Sequence, residues 1–223
     1  TSGNNNIASG HRAMSSGTNT GSYNRATGYK ALYSNTTGSH NQASGYEALK
    51  GNTTGDNNMA SGFQAMSSGT NTGHYNRASG YQSMYSNTTG SYNIASGWST
   101  LYSNTTGSHN QASGYGALLN NTTGAYNSAS GYQAMGYGIN TGSYNTSSGY
   151  QSMYSNTTGQ YNVGSGYKTL YNNTTGNYNS ASGYSALGNN TTGSFNMASG
   201  FNALATNTSG GYNMAMGYMA LAR

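Results

Sequence analysis

The chain has no cysteine, no proline and almost no charge. Without cysteine there is no disulfide, no thiol nucleophile and no thiolate zinc or iron–sulfur site. Only 4% of the 223 residues are charged, against about 25% in an ordinary domain. Glu47 and Asp56 are the only acidic residues. Paired-carboxylate chemistry and carboxylate-rich calcium sites therefore have almost nothing to be built from. No apolar run is long enough to span a bilayer, so membrane insertion is not expected. Nothing at Thr1 reads as a signal peptide, and an exported protein would be represented here by a mature piece or fragment.

The basic residues are Arg12, Arg25, Lys30, Lys50, Arg77, Lys168 and Arg223, for a net charge of +5. They are scattered and form no stripe, so nucleic acid is not an expected partner. The histidines are His11, His40, His74 and His109. They stand in or beside slots that otherwise hold aromatic residues. No metal site, cofactor or Ser–His–Asp set is expected from them, and the chain reads as non-enzymatic.

What the sequence has in abundance is one motif. Its glycines and tyrosines, 35 and 23 in number, fall in thirteen copies of a repeat. The consensus is Gly-x-Tyr-Asn-x-Ala-Ser-Gly-Tyr-x-Ala-Leu-Tyr-Ser-Asn-Thr-Thr. The first glycines are Gly3, Gly21, Gly38 and onward to Gly210, spaced by 17 residues, or by 18 after Gly3, Gly55 and Gly124. The extra residue sits near Gly17, Gly69 and Gly138, where a turn would tolerate it. Fixed periods of this size mark solenoids and arrays.

Slots that never change class read as interior. They are the Asn column (Asn24, Asn41, Asn58, Asn76), the second glycine (Gly28, Gly45) and the Leu/Met column (Leu32, Leu49); the Ala column (Ala26, Ala43) joins them with Ser147 and Gly164 as its exceptions. The slot of Arg25, Gln42 and Met59 accepts anything and reads as solvent-facing. Glycine, Asn-Thr-Thr and Ser-Gly interrupt any helix. The expected fold is all-β, a parallel β-solenoid of thirteen coils of 17–18 residues, filling residues 1–223 as a single repeat domain. Asn24, Ala26 and Gly28 share one strand face and Arg25 takes the other. A second strand is expected over 29–33. There Ala31 and Leu32 are both fixed yet have opposite parity, so either the chain bends or both faces are buried. Burial of both faces would argue for lateral association, most simply a trimer.

The Asn-x-Ala-Ser-Gly-Tyr-x-Ala-Leu core resembles the head repeat of trimeric autotransporter adhesins. It also resembles Asn-x-Ala-x-Gly-Tyr-x-Ala-Leu arrays of bacterial surface and phage tail-fibre-like proteins. The resemblance runs the length of the chain and matches at Asn24, Ala26, Gly28 and Ala31. It implies a left-handed β-roll, a homotrimer, and an extracellular, cell-surface or virion setting. The expected function is structural or adhesive, as an adhesin head or tail-fibre shaft. A self-assembling filament subunit whose coils stack end to end is the alternative, and an ice-binding solenoid the third.

Candidate binding residues follow from the pattern. Tyr29, Tyr46, Tyr81, Trp98 and Tyr115 could form an aromatic platform for a host surface or glycan, or else simply stack. Asn35, Asn52, Asn87, Asn104, Asn121, Asn156, Asn173, Asn190 and Asn207 each open a glycosylation acceptor triplet, as does Asn145. The competing reading of these asparagines is turn chemistry.

Overall fold

A computed structural model describes residues 3–15 and 17–222. Thr1, Ser2, Ser16 and Arg223 lie outside the described residues, and the expectations at Thr1 and Arg223 fall with them. The described residues form thirteen strands of three residues each and no helix. They group into two compact units, Thr1–Asn110 and Gln111–Arg223.

The N-terminal unit holds Ile7–Ser9 (β1), Arg25–Thr27 (β2), Gln42–Ser44 (β3), Met59–Ser61 (β4), Arg77–Ser79 (β5) and Ile94–Ser96 (β6). Each strand pairs in parallel with the next, and Ala8, Ala26, Ala43, Ala60, Ala78 and Ala95 are in register. The C-terminal unit repeats the pattern with Gln111–Ser113 (β7), Ser128–Ser130 (β8), Thr146–Ser148 (β9), Val163–Ser165 (β10), Ser180–Ser182 (β11), Met197–Ser199 (β12) and Met214–Met216 (β13). Its parallel pairs run in chain order from β7 to β13. Both units are therefore parallel β-solenoids, one repeat per coil.

Strand alternation follows the expected parity. In β2 to β7 the central residue is buried and its two neighbours are exposed. Asn24 and Asn41 are buried just ahead of the strand. Hydrogen bonding does not stop at the strand ends. In the coil of β3, Gln42 and Leu49 donate their N–H groups to Asn58 and Ala65 of the following coil. Gly45 and Glu47 of the same coil donate to Thr27 and Tyr29 of the preceding one. Most of the backbone is laddered, which suits a fold whose apolar core is narrow.

The second strand is absent. Residues 29–33 form turns, and Lys30 and Leu32 both have φ of 51°. Non-glycine residues seldom occupy this left-handed region. Here the same slots do so throughout, as at Glu47, Leu49, Gln64 and Met66. A left-handed residue breaks the face-to-face alternation of a strand, so neighbours in sequence can point the same way. Ala31 and Leu32 are accordingly both buried in the interior of their own chain. The bend accounts for their opposite parity, and the two-sided burial that would have argued for a lateral partner is not there. Leu32, Leu49, Met66, Met84 and Leu101, together with the alanines, make up the apolar core of the N-terminal unit.

Candidate functional site

Beside the apolar core, the interior carries two amide ladders. In the first, the N–H of each Asn donates to Oδ1 of the Asn one coil before. Asn41 donates to Asn24, Asn58 to Asn41 and Asn76 to Asn58, each at 2.9 Å. The Nδ2 of Asn41 donates to the Gly55 carbonyl at 2.7 Å. The C-terminal unit carries the same ladder from Asn127 to Asn213.

The second ladder is built from the Asn of Asn-Thr-Thr. Asn52 donates Nδ2 to Asn35 Oδ1 at 2.8 Å, and Asn104 does the same to Asn87. Asn121, Asn140, Asn156, Asn173, Asn190 and Asn207 continue it in the C-terminal unit. Asn35, Asn52, Asn87, Asn104, Asn121, Asn156, Asn173 and Asn190 are buried, and Asn207 is half-buried. Their Nδ2 atoms also bond the repeat glycine three residues on, as Asn52 does to Gly55 at 3.0 Å. Asn145 belongs to the first ladder and is equally buried. A glycan replaces one Nδ2 hydrogen, so at the buried positions such as Asn52 it would displace a ladder or turn hydrogen bond.

The ladder also redraws the three longer repeats. Asn19, Asn71 and Asn140 stand in the ladder although they precede only one threonine. The loop before the Asn is two residues longer and the turn after it one shorter. The shortened turn is closed by Oδ1 of the same Asn, which accepts the Gly73 N–H at 3.1 Å in one case. The extra residue is thus a rebuilt turn rather than a simple insertion.

Outside the ladders, each repeat places side chains in fixed columns. Along the chain, an exposed strand is bracketed by two aromatic slots, one before the Asn and one after the second Gly. The second slot stacks as His11, Tyr29, Tyr46, Phe63, Tyr81 and Trp98 in the N-terminal unit, with ring centroids 4.0–5.3 Å apart. In the C-terminal unit it runs from Tyr115 through Tyr132, Tyr150, Tyr167, Tyr184 and Phe201 to Tyr218 at 4.7–5.2 Å. The first slot stacks from Tyr126 to Tyr212 at 4.8–5.0 Å.

Planes in these columns lie within 14° of parallel. The rings therefore turn their faces to one another, and solvent meets edges and hydroxyl groups. Tyr29, Tyr46, Tyr81, Trp98 and Tyr115 all stand in the second column, partly exposed. A sugar laid flat on a ring needs an open face, and a stacked column offers edges instead.

Between the aromatic slots lie a variable column (Arg25, Gln42, Met59, Arg77, Ile94) and a hydroxyl column (Thr27, Ser44, Ser61, Ser79, Ser96), all exposed. The hydroxyl column has no counterpart among the site residues read from the sequence. Its signal was the Ser or Thr of Ala-Ser-Gly, present in nearly every repeat. The threonines opposite are less regular. Thr36 and Thr88 spend their hydroxyls on carbonyls of the next coil. The exposed second threonine is missing wherever the turn is shortened, which interrupts the flat array an ice surface would require.

Burial pushes the Glu47 carboxyl up, but Lys50 at 3.0 Å, the Gln64 amide and the Lys30 charge outweigh it and hold it below the usual range. Burial, reinforced by neighbouring tyrosines, raises the phenols of Tyr102 and Tyr154. Spectrophotometric titration is expected to show a late component from these two phenols, above the ordinary tyrosine range. A raised acid stabilises the fold below its unfolded pKa and loses that contribution above it. Stability should therefore fall as pH climbs past about 10. A single tyrosine transition, with no late component, would contradict this.

Among the described residues no group of three or more His, Cys, Asp or Glu side chains could hold a metal ion. Nor, among the described residues, is any helix long and apolar enough to cross a membrane. No family model, curated protein or solved structure matches the chain.

Proposed function

We propose that this chain is a non-catalytic structural solenoid that acts outside the cell or on a virion, as the head or shaft of an adhesive fibre. The observation that carries the reading is the outward face. Strands in strict register hold columns of aromatic edges and hydroxyls about one strand spacing apart, with hardly a charge among them. Such a face repeats one weak contact many times along a rigid support, which is how multivalent adhesion gains strength. The homotrimer rests on the family resemblance alone, since the Ala31 and Leu32 slots are satisfied within one chain.

The test is retention under flow. Beads carrying the chain should stay on mucin-coated glass several-fold longer than albumin-coated beads. A variant with Tyr144, Tyr161 and Tyr178 changed to Ser should release them. Detachment of the parent at the albumin rate would overturn the reading. In sedimentation equilibrium a finite trimer fits a fibre head or shaft. Concentration-dependent fibres in electron micrographs would instead make the chain a filament subunit.

A further inference from the structure

The two units share a fold and differ in charge. Arg12, Arg25, Lys30, Lys50, Arg77 and all four histidines belong to the N-terminal unit. Lys168 is the one basic Lys or Arg among the described residues of the C-terminal unit.

Scattered in sequence, two of these cations share one column in the fold. Arg25 on β2 and Arg77 on β5 occupy the same outward column, with Gln42 and Met59 between them. They lie three coil steps apart, about 14 Å. The two carboxylates stand in other slots and have other partners: Glu47 bonds Lys50 at 3.0 Å, and Asp56 accepts the Ser39 N–H at 2.7 Å. Beside the arginines runs the hydroxyl column from Thr27 to Ser79. A shallow groove of about 360 Å³ follows β2 to β4, floored by Ala43 and Ala60. The same column of the C-terminal unit reads Gln111, Ser128, Thr146, Val163, Ser180 and Met197, with no charge.

We infer that this groove of the N-terminal unit docks an extended polyuronate, a linear sugar chain with one carboxylate per ring. The guanidinium fork matches a carboxylate in bidentate fashion. The hydroxyl column offers donors and acceptors to ring hydroxyls between the two arginines. An extended pyranose chain advances about as far per sugar as the solenoid does per coil, so the contacts stay in step. Single-stranded nucleic acid fits less well, because it needs open aromatic faces for its bases and these columns turn their faces inward on one another. The inference rests on the adhesive reading and names its ligand.

The test uses the full chain and polygalacturonate oligomers in calorimetry at low salt. Saturable binding that weakens with salt is expected, at least tenfold weaker in the R25Q/R77Q double variant and unchanged in K168Q. Glutamine already occupies this column at Gln42 and Gln111, so the double variant should keep the parent's circular dichroism. No binding to polygalacturonate would overturn the inference, as would equal affinity in the double variant. So would equal or tighter binding of dextran sulfate, neutral dextran or oligo(dT). Failure here with bead retention intact removes the ligand and leaves the adhesive reading, whereas loss of bead retention by the parent removes the reading itself.

Discussion

Replacing Asn41 by aspartate should cost about 4 kcal/mol at neutral pH, the scale of an uncompensated buried charge. Asn41 is fully buried. Its Oδ1 accepts the Asn58 N–H, and its Nδ2 donates to the Gly55 carbonyl. A carboxylate keeps the first bond but turns a second oxygen on that carbonyl, with no cation beside it. Protonation restores a donor at that position, so the folded-state pKa of the new carboxyl must rise above its unfolded value. For a raised acid, stability is present below the unfolded pKa and lost as pH climbs toward the folded one. The variant should therefore regain most of its loss as pH is lowered toward about 4. The parent should move slightly the other way, because the lowered Glu47 loses its contribution on acidification. Asn41→Ala, which strands the Asn58 N–H, should cost about 1–3 kcal/mol without that pH dependence. Urea unfolding of all three proteins at pH 7 and pH 4 checks this. Equal, pH-independent losses for the two variants would refute the buried-ladder account.

Replacing Gly45 by alanine should divide the N-terminal unit. Gly45 has φ of 129°, a region essentially reserved for glycine, and a Cβ there would fall on the carbonyl of Gly62 in the next coil. Backbone strain alone costs about 1–3 kcal/mol. The larger effect is that two coils can no longer close on each other. Solenoid stability is a sum of coil and nearest-neighbour interface contributions, so a single lost interface uncouples what lies on either side. Unfolding is expected to become biphasic with a reduced m-value, and amides near the β3–β4 contact to lose exchange protection first. Gly116→Gln is the control. Gly116 has φ of 61°, its Cβ would meet only Gln133 Cγ at 3.5 Å, and equivalent slots already hold Gln64 and Gln133. That variant should stay within about 1 kcal/mol of the parent. One cooperative transition in Gly45→Ala would show that the coils are not coupled through this contact.

Much of the fold was legible because a solenoid writes its interior as invariance. Invariance marks Asn24 and Ala26 as inward, variability marks Arg25 as outward, parity puts them on opposite faces, and the strands follow it. Residues 29–33 were not legible. Strand parity assumes right-sided backbone, and Lys30 and Leu32 enter the left-handed region without the glycine that usually announces it. The Asn35 column is half legible for a different reason. A local triplet, Asn-Thr-Thr, suggested an acceptor or a turn, while the informative signal was that this Asn persists even where its turn is shortened. The outward columns are half visible: the aromatic slots stand out, whereas Arg25 and Arg77, each four residues past its repeat glycine, share a slot whose charge is lost among Gln42, Met59 and Ile94 until the column is followed strand by strand.

The second amide ladder has a direction. Its amide-to-amide bonds run the same way, from Nδ2 of the later coil to Oδ1 of the earlier one. Each unit thus carries a row of aligned dipoles parallel to its stacking axis, and aligned amides polarise one another. Stacking is therefore vectorial. A coil can extend the row only head to tail, because a reversed coil would set donor against donor. The contribution of each amide should also grow with the number already in line, so longer stacks would be held more tightly per coil than short ones.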